Sequence, residues 1–199
     1  MPDHYYSKNP GVESKPRRWN FNLRGFSFIF ETDAGVFSKS EVDFGSRVLI
    51  DRFELPNVEG DILDVGCGYG PIGLSIAKSY PERIVHMMDV NDRAMNLARK
   101  NAELNGVQNV RIYESDALSV AQTEDVACVL TNPPIRAGKQ TIFRFYDQAY
   151  ELLKEDGELW IVIQKKQGAP STVDHLGLKF KEVTVVDKEK GYWIIKAVK

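Results

Sequence analysis

Apolar residues alternate with polar or small ones in two short runs near the start of the chain, at residues 19–23 and 26–30. A period of two is typical of a strand with one buried face, and Arg24-Gly25 between the runs is typical of a tight turn. We therefore predict a β-hairpin over residues 19–30. The segment 42–53 then places apolar residues on one helical face, which predicts a helix.

From Gly60 onward, short apolar runs alternate with longer segments of helical periodicity. Such alternation is typical of a mainly parallel sheet with helices on both faces. The predicted elements are strand 62–65, helix 71–79, strand 84–89, helix 92–105, strand 110–113, strand 126–130, helix 139–153, strand 157–164, helix 171–176, strand 180–186 and strand 192–198. The last two strands, joined by a turn at 188–191, are predicted to be antiparallel. The fold class is therefore α/β, a doubly wound seven-stranded sheet preceded by a hairpin and a helix.

The chain has 199 residues, 43% of them hydrophobic, which is enough to bury the core of one sizeable domain. Residues 2–18 are polar and interrupted by proline and glycine, as in a loosely held arm. We predict a flexible N-terminal arm at 1–18 and a single domain at 19–199 that includes the hairpin. The net charge is −2, so any nucleic-acid contact must come from a local basic patch.

Cys67 and Cys128 fall in predicted core strands or in the turn that follows one, without a disulfide pattern. Two such thiols, with no secretory signal, predict a reducing, cytoplasmic setting. No apolar run approaches membrane-spanning length, so no membrane association is predicted. The three histidines lack the spacing of metal ligands, and no metal site is predicted.

A glycine-rich turn over residues 64–70 joins the first strand of the predicted sheet to a helix that opens at Pro71. Glycines let a ligand approach the backbone, and the start of a helix favours negative charge. The spacing, G-x-G-x-G after an aspartate, differs from the dinucleotide pattern G-x-G-x-x-G. The Asp64 carboxylate would repel a pyrophosphate and accept hydrogen bonds from an ammonium group, which favours S-adenosylmethionine as the ligand.

Two further acids follow the next strands of the predicted sheet. Asp89 ends the second strand, where an acid can accept hydrogen bonds from both hydroxyls of a ribose. Asp116 follows the third strand, where a carboxylate can accept from an adenine amino group. A lone aspartate at a strand end is as often a helix cap or a solvated loop residue. Three acids at successive strand ends indicate a site, because ligands bind outside the carboxyl ends of such strands.

The most specific feature is Asn132-Pro133-Pro134-Ile135 at the end of the fourth strand. Two prolines fix the backbone and remove two N–H donors, so carbonyl oxygens are left to face a ligand. Asn132 Oδ1 and the Pro133 carbonyl could accept both hydrogens of an exocyclic amine and turn its lone pair toward a methyl donor. The alternative interpretation is a rigid turn that has no chemical role. The acids at the ends of the preceding strands make that interpretation less favoured.

These residues together resemble the class I S-adenosylmethionine-dependent methyltransferases. Within that superfamily the chain is similar to the 16S rRNA guanine-N2 methyltransferase family. Residues 35–38 and 42–46 resemble the signature that this family carries just ahead of its cofactor turn. The resemblance covers residues 30–199. It implies a seven-stranded fold whose last strand is antiparallel, S-adenosyl-L-methionine as cofactor, and methyl transfer to guanine N2 of 16S rRNA within the small ribosomal subunit.

Site residues follow from the resemblance by position. It implies cofactor binding by Phe37, Asp43, Ser46, Asp64, Gly66, Cys67, Gly68, Asp89, Val90, Asp116, Ala117 and Asn132. It implies that the target amine is held by the catalytic residues Asn132, Pro133 and Pro134. The residues expected to contact the substrate are Ile135, Arg136, Lys139, Lys165 and Lys166.

Two departures from the family bear on function. Longer members carry a second, degenerate copy of the domain that is missing here and that helps with folding and substrate binding. We expect one of three features to take over its role: the N-terminal arm, weak homodimerisation of an otherwise monomeric chain, or the ribosomal particle. Ile135 stands where adenine-N6 and glutamine-N5 methyltransferases usually have an aromatic residue, which favours guanine. A methyltransferase acting on adenine or on a protein glutamine, and a non-catalytic RNA-binding module of the same fold, remain alternatives.

Overall fold

A computed structural model describes residues 13–38, 40–116, 118–119 and 121–199. Its strands and helices, in chain order, are β1 Arg17–Leu23, β2 Phe26–Thr32, α1 Phe44–Arg52, β3 Asp61–Val65, α2 Pro71–Ser79, β4 Val85–Asp89, α3 Asp92–Leu104, β5 Val110–Glu114, β6 Val126–Thr131, α4 Lys139–Leu152, β7 Leu153–Gln164, α5 Ala169–Leu176, β8 Glu182–Glu189 and β9 Tyr192–Val198. Short 3-10 turns lie at Ile135–Ala137 and Lys165–Gln167.

Seven strands form one sheet in the order β5-β4-β3-β6-β7-β9-β8, and β1 pairs with β2 in a separate hairpin. Strands β3 to β7 are parallel, whereas β9 runs antiparallel to both of its neighbours. The predicted doubly wound α/β class, with its N-terminal hairpin and antiparallel last strand, is confirmed. The chain leaves β3 toward β4 on one side and reaches β6 on the other, so the carboxyl ends of β3 and β6 flank the crevice where such folds bind ligands.

Several predicted boundaries were wrong by a few residues. The hairpin begins at Arg17, so Arg17 and Arg18 pair in β1 instead of belonging to an arm. Strand β7 begins directly after α4 at Leu153. Strand β8 extends to Glu189, which pairs with Tyr192 and shortens the predicted turn at 188–191 to Lys190-Gly191. Both turn residues have positive φ, at 47° and 83°, as a two-residue turn matched to strand twist requires.

The hairpin is packed against the body of the protein. Phe28 and Phe30 are fully buried in the core layer that also holds α1, α2 and α3. Arg24, at the hairpin turn, donates hydrogen bonds to the carbonyls of Ile50 and Phe53 at 2.7 and 2.8 Å. These aromatic rings and this guanidinium therefore have structural contacts and are not available to a nucleic acid.

Two asparagine amides take the place of a strand beside β2. Asn101 accepts a hydrogen bond from Glu31 N–H at 2.7 Å and donates to the Glu31 and Tyr69 carbonyls, both at 2.9 Å. Asn105 bonds the N–H and carbonyl of Ile29 in the same way, both at 2.8 Å. The register fits because the four residues from Asn101 to Asn105 rise about 6 Å along α3 and two strand residues span about 6.6 Å. Asn101 and Asn105 together form an asparagine clamp that attaches the hairpin to α3.

In the described ranges no helix has both the length and the apolar character needed to cross a membrane. The same residues contain no group of three or more histidine, cysteine, aspartate or glutamate side chains that could hold a metal ion.

We predict that replacing Asn101 by leucine lowers the free energy of unfolding by about 2–4 kcal/mol, because Asn101 is fully buried and its backbone partners would lose their hydrogen bonds without gaining water. The matched change Asn105→Leu should cost only about 1 kcal/mol, since the Ile29 groups are exposed. Urea unfolding of the three proteins measures both values. Equal losses would show that burial does not set the cost.

Candidate active site

A cavity of about 810 Å³ opens at the carboxyl edge of the sheet, beside the crevice between β3 and β6. Its size lies within the range of small-molecule sites. The turns after β3, β4, β5 and β6 and the segment before α1 contribute to its wall. The predicted site residues in the wall are Phe37, Asp43, Ser46, Gly66, Cys67, Gly68, Asp89, Val90, Asp116, Asn132, Pro133, Pro134, Ile135 and Arg136.

The remaining predicted residues lie elsewhere. Asp64 is buried beneath the glycine turn, and Lys139, Lys165 and Lys166 are exposed outside the cavity wall. Lys139 Nζ lies 5.1 Å from the ring centre of Phe143, its neighbour one turn along α4. Ala117 lies outside the described residues. The role of each predicted residue stays a prediction.

The glycine turn presents bare backbone to the cavity. The N–H groups of Gly66 and Cys67 both donate to the Met88 carbonyl, at 2.8 and 2.9 Å, which fastens the turn to the end of β4. Gly66 and Gly68 have φ of 76° and 56°, and a Cβ built on either would meet no atom within 4 Å. A side chain at these positions would be strained in conformation and would occupy the cavity. The turn therefore fits a ligand that lies against the backbone.

Asp89 joins two of the ligand-facing turns. Its Oδ2 accepts a hydrogen bond from Gly68 N–H and its Oδ1 one from Asn91 N–H, both at 2.9 Å. Burial raises the pKa of this carboxyl group, and the N–H bonds oppose that rise. Each carboxylate oxygen keeps further acceptor capacity, so the side chain is held in place and can still accept from a pair of hydroxyls.

Asp64 is an isolated buried acid. Its Oδ2 accepts a hydrogen bond from Gly73 N–H at 2.7 Å, and its Oδ1 has no partner among the described residues. Gly73 is required here, because a Cβ would lie 2.8 Å from that Oδ2 and 2.6 Å from Met87 Cγ. Burial, helped by the nearby Asp89, raises the pKa of Asp64 to about 7 despite the Gly73 bond. The unpaired oxygen is an acceptor that a bound cation or water would satisfy.

The Asn132 amide is oriented by two neighbours. Its Nδ2 donates to Asp43 Oδ2 at 3.1 Å and to Ser46 Oγ at 3.0 Å. A carboxylate can only accept hydrogen bonds, so the NH₂ group, and not the carbonyl, must face Asp43. The same Asp43 oxygen accepts from Ser46 N–H at 3.1 Å and caps α1. Asn132 Oδ1 is thereby left as the group that can meet a ligand.

Sequence reasoning missed several residues in the cavity wall. Tyr192 at the start of β9 packs on α1, where a Cβ at Gly45 would lie 2.7 Å from its ring. Gln164 ends β7 and Gln167 ends the 3-10 turn that follows it, and Phe145 and Thr141 face the cavity from α4. A polar residue at the carboxyl end of the fifth strand of the sheet in chain order was a usable signal for Gln164. Nothing in the local pattern marks Tyr192, which is 128 residues from Asp64 in sequence.

Comparison with known proteins agrees with this geometry. Residues 27–196 match the family model Methyltransferase small domain. The chain is 58% identical over 200 residues to the protein YbxB of Bacillus subtilis (strain 168), with full coverage of both chains. It is 34% identical over 150 residues to ribosomal RNA small subunit methyltransferase C of Vibrio vulnificus (strain CMCP6), which covers 73% of this chain and 43% of that protein.

A solved structure has the same fold. The 16S rRNA N2 methyltransferase RsmC of T. thermophilus, in complex with AdoMet and guanosine, superposes with a TM-score of 0.82 at 23% identity, covering 96% of this chain and 52% of that one. Further relatives, at 28–31% identity, are ribosomal RNA large subunit methyltransferase G proteins. The chain spans about half or less of the length of these ribosomal RNA methyltransferases.

The fold and the cavity thus define a class I methyltransferase. The chain belongs to the methyltransferase small domain family. The predicted class, which depends on S-adenosyl-L-methionine, is confirmed.

We predict that the ligand-free protein loses stability through Asp64 as pH rises from about 4 to about 7. The folded state, with the raised pKa, keeps a proton that the unfolded state releases near pH 3.8, so the group's contribution is largest below that pH and falls until the folded pKa is passed. Asp64→Asn removes this titration. The stability of the variant relative to wild type should increase by up to about 4 kcal/mol between pH 4 and pH 8.

Urea unfolding at several pH values between 4 and 8 measures this difference. Parallel stability curves for the two proteins would show that Asp64 titrates normally.

Proposed function

We propose that this protein methylates the exocyclic amine of guanine, at N2, in small-subunit (16S) ribosomal RNA. The observation that carries the proposal is the fixed Asn132 amide, whose NH₂ faces Asp43 and Ser46 and whose Oδ1 is left for the target. Asn132 and the two prolines after it line the cavity together with the glycine turn. One cavity therefore joins a surface for a methyl donor to acceptors for an amine.

The cofactor surface uses the groups already held in place. Gly66, Cys67 and Gly68 would lie against the methionine part of S-adenosyl-L-methionine, and Asp89 would accept from its ribose hydroxyls. When bound, this cofactor supplies an electrophilic methyl group on a sulfonium. The Cys67 thiol stays neutral because burial raises its pKa, so it offers no competing nucleophile beside that methyl group.

The acceptor groups of Asn132 and Pro133 act on the target amine. An amino group on a base has two N–H donors and a lone pair delocalised into the ring. Two acceptors bind both hydrogens, orient the nitrogen and stabilise the positive charge that develops on it during transfer. The Pro134 carbonyl accepts from Ala137 N–H at 2.9 Å, so it supports the following turn, and Pro133 is left as the second acceptor. No base is needed first, because the methylated amine readily releases its proton.

Guanine N2 is favoured over other amines by two observations. Ile135 follows the prolines where an aromatic residue stacks on adenine or glutamine substrates in related enzymes of those types. Relatives that cover most of this chain are named as small-subunit ribosomal RNA methyltransferases, and a structure of this fold was solved with guanosine. Large-subunit relatives support a second candidate, guanine N2 of large-subunit RNA, at the same site. The proposed partner is the ribosomal particle, and we propose a monomer or weak homodimer.

We predict that Asn132→Ala abolishes methyl transfer while leaving the affinity for S-adenosyl-L-methionine within about twofold, because Oδ1 serves the target and not the donor. Asn96→Ala, the same change on the exposed face of α3, should leave both quantities unchanged. Mass spectrometry of rRNA nucleosides from a strain lacking the protein measures turnover. One N2-methylguanosine should disappear in that strain. It should return when the wild-type protein is expressed there and should stay absent when the Asn132→Ala variant is expressed. Unchanged nucleosides in the deletion strain would refute the substrate.

We predict that Asp89→Ala weakens cofactor binding by about 1.5–3 kcal/mol, the worth of hydrogen bonds to a charged group. Isothermal titration with S-adenosyl-L-methionine measures the loss. Asp92→Ala, which removes an acid three residues further along the chain and outside the cavity wall, is the control. Equal affinities for the wild type and the Asp89 variant would remove Asp89 from the site.

A further inference from the structure

A chain of contacts connects basic side chains beside α1 and the β8–β9 turn. The guanidinium of Arg47 lies 5.3 Å from the ring centre of Phe44, and Lys190 Nζ lies 4.5 Å from the same ring. Gly191, which follows Lys190, accepts a hydrogen bond from Lys165 N–H at 2.8 Å. These contacts define a basic ledge, which consists of Arg47, Lys165, Lys166 and Lys190.

The basic ledge adjoins the Asn132 end of the cavity. Ser46, which accepts from Asn132, directly precedes Arg47 in α1. Gln164 and Gln167 line the cavity on either side of the two ledge lysines of the 3-10 turn. Tyr192, also in the cavity wall, lies 5.7 Å from Phe44. A nucleotide whose base enters the cavity at this end would therefore place its neighbours along the ledge.

The four charges of the ledge are not compensated within the protein. Among the described residues, none of the four lies within 4.0 Å of a carboxylate oxygen. Two nearby acids have other partners: Asp43 accepts from Asn132, and Asp187 binds Arg52 at 2.7 Å. By contrast, lysines remote from the cavity have acidic partners, as Lys196 has in Glu158 at 3.5 Å. Like charges left together without acids form a site for an anion.

Arg47 is held in a way that suits a phosphate. Its guanidinium carbon lies 5.3 Å from the ring centre of Phe44 and 5.6 Å from that of Phe21. Its Nε is buried without a hydrogen-bond partner among the described residues, so the two terminal nitrogens are the donors left for a ligand. Contact with two aromatic faces restricts the guanidinium without using its terminal N–H donors. A fixed planar fork binds two phosphate oxygens at once.

We infer that the basic ledge binds the phosphodiester backbone of RNA on the nucleotides next to the target base. The inference rests on the proposed function, because a base in the cavity is what brings the neighbouring backbone to the ledge. The ledge contributes affinity and position, whereas Asn132 acts on the base itself. Contacts between its charges and phosphates do not depend on the RNA sequence, so the cavity is what discriminates between bases.

The test compares two triple variants with the same change of charge. Lys165→Gln/Lys166→Gln/Lys190→Gln removes three exposed charges of the ledge. Lys179→Gln/Lys181→Gln/Lys196→Gln removes three lysines that have acidic partners away from it. The probe is a fluorescein-labelled single-stranded RNA of mixed sequence. The affinity of each protein for this RNA is measured at KCl concentrations from about 50 to about 300 mM.

The ledge variant should bind the RNA about 10- to 100-fold more weakly at about 100 mM salt. The magnitude of its negative slope of log affinity against log salt should decrease by about 2, because each of three lost single-strand phosphate contacts contributes about 0.7. The control variant should keep the wild-type slope within about 0.5 of its value. In methylation of small ribosomal subunits the ledge variant should raise KM and keep kcat. Arg47→Lys, which retains charge without the planar fork, should lie between wild type and the triple variant.

The outcomes separate the two proposals. If wild type methylates RNA and the ledge variant keeps the full salt slope, the ledge inference is overturned and the function stands. If RNA binds through the ledge but N2-methylguanosine never forms, the substrate proposal fails and the ledge stands. If wild type does not bind RNA, as for a protein-glutamine methyltransferase, both are wrong.

Discussion

A carboxylate that can only accept hydrogen bonds decides which way the Asn132 amide faces. An amide has a donor end and an acceptor end of nearly equal shape, and an unconstrained side chain would present either one to the cavity. Asp43, with Ser46, holds the donor end, so the acceptor end is what a ligand in the cavity would meet. Because Asp43 also caps α1, the position of that helix and the polarity of the site depend on the same atom.

The other half of the cavity is organised by acids whose charge is costly to bury. Asp64 is almost fully buried with one oxygen unpaired, and burial raises its pKa to about 7. Asp89 fastens the glycine turn to the start of α3 and keeps room for hydroxyl donors. Asp64 keeps an unpaired acceptor oxygen beneath the glycine turn, and Asp89 keeps acceptor capacity in the cavity wall. Acceptor capacity for a ligand therefore lies in the cavity wall both at Asp89 and at Asn132 Oδ1.

The hairpin and the basic ledge show that aromatic and basic side chains have separate tasks in different places. Phe28, Phe30 and Arg24 attach the hairpin to the body, whereas Phe21 and Phe44 hold a cation in place beside the cavity. The contacts of each residue, and not its type, distinguish the two roles. A small net charge is therefore compatible with a local surface for a polyanion.

Periodicity and motif spacing alone determined the sheet-forming segments, the glycine turn, the acids at strand ends and the Asn132-Pro133-Pro134 turn, because each is a local property of consecutive residues. The family resemblance also implied a place for Asp43 and Ser46 at the pocket, but their contact with Asn132, 86 or more residues away, is decided only when α1 packs against β7 and β9. The Asn101 clamp, the place of Tyr192 and the stacking of Arg47 are likewise long-range. Burial and pairing between distant segments arise in the folded chain, and no local pattern encodes them.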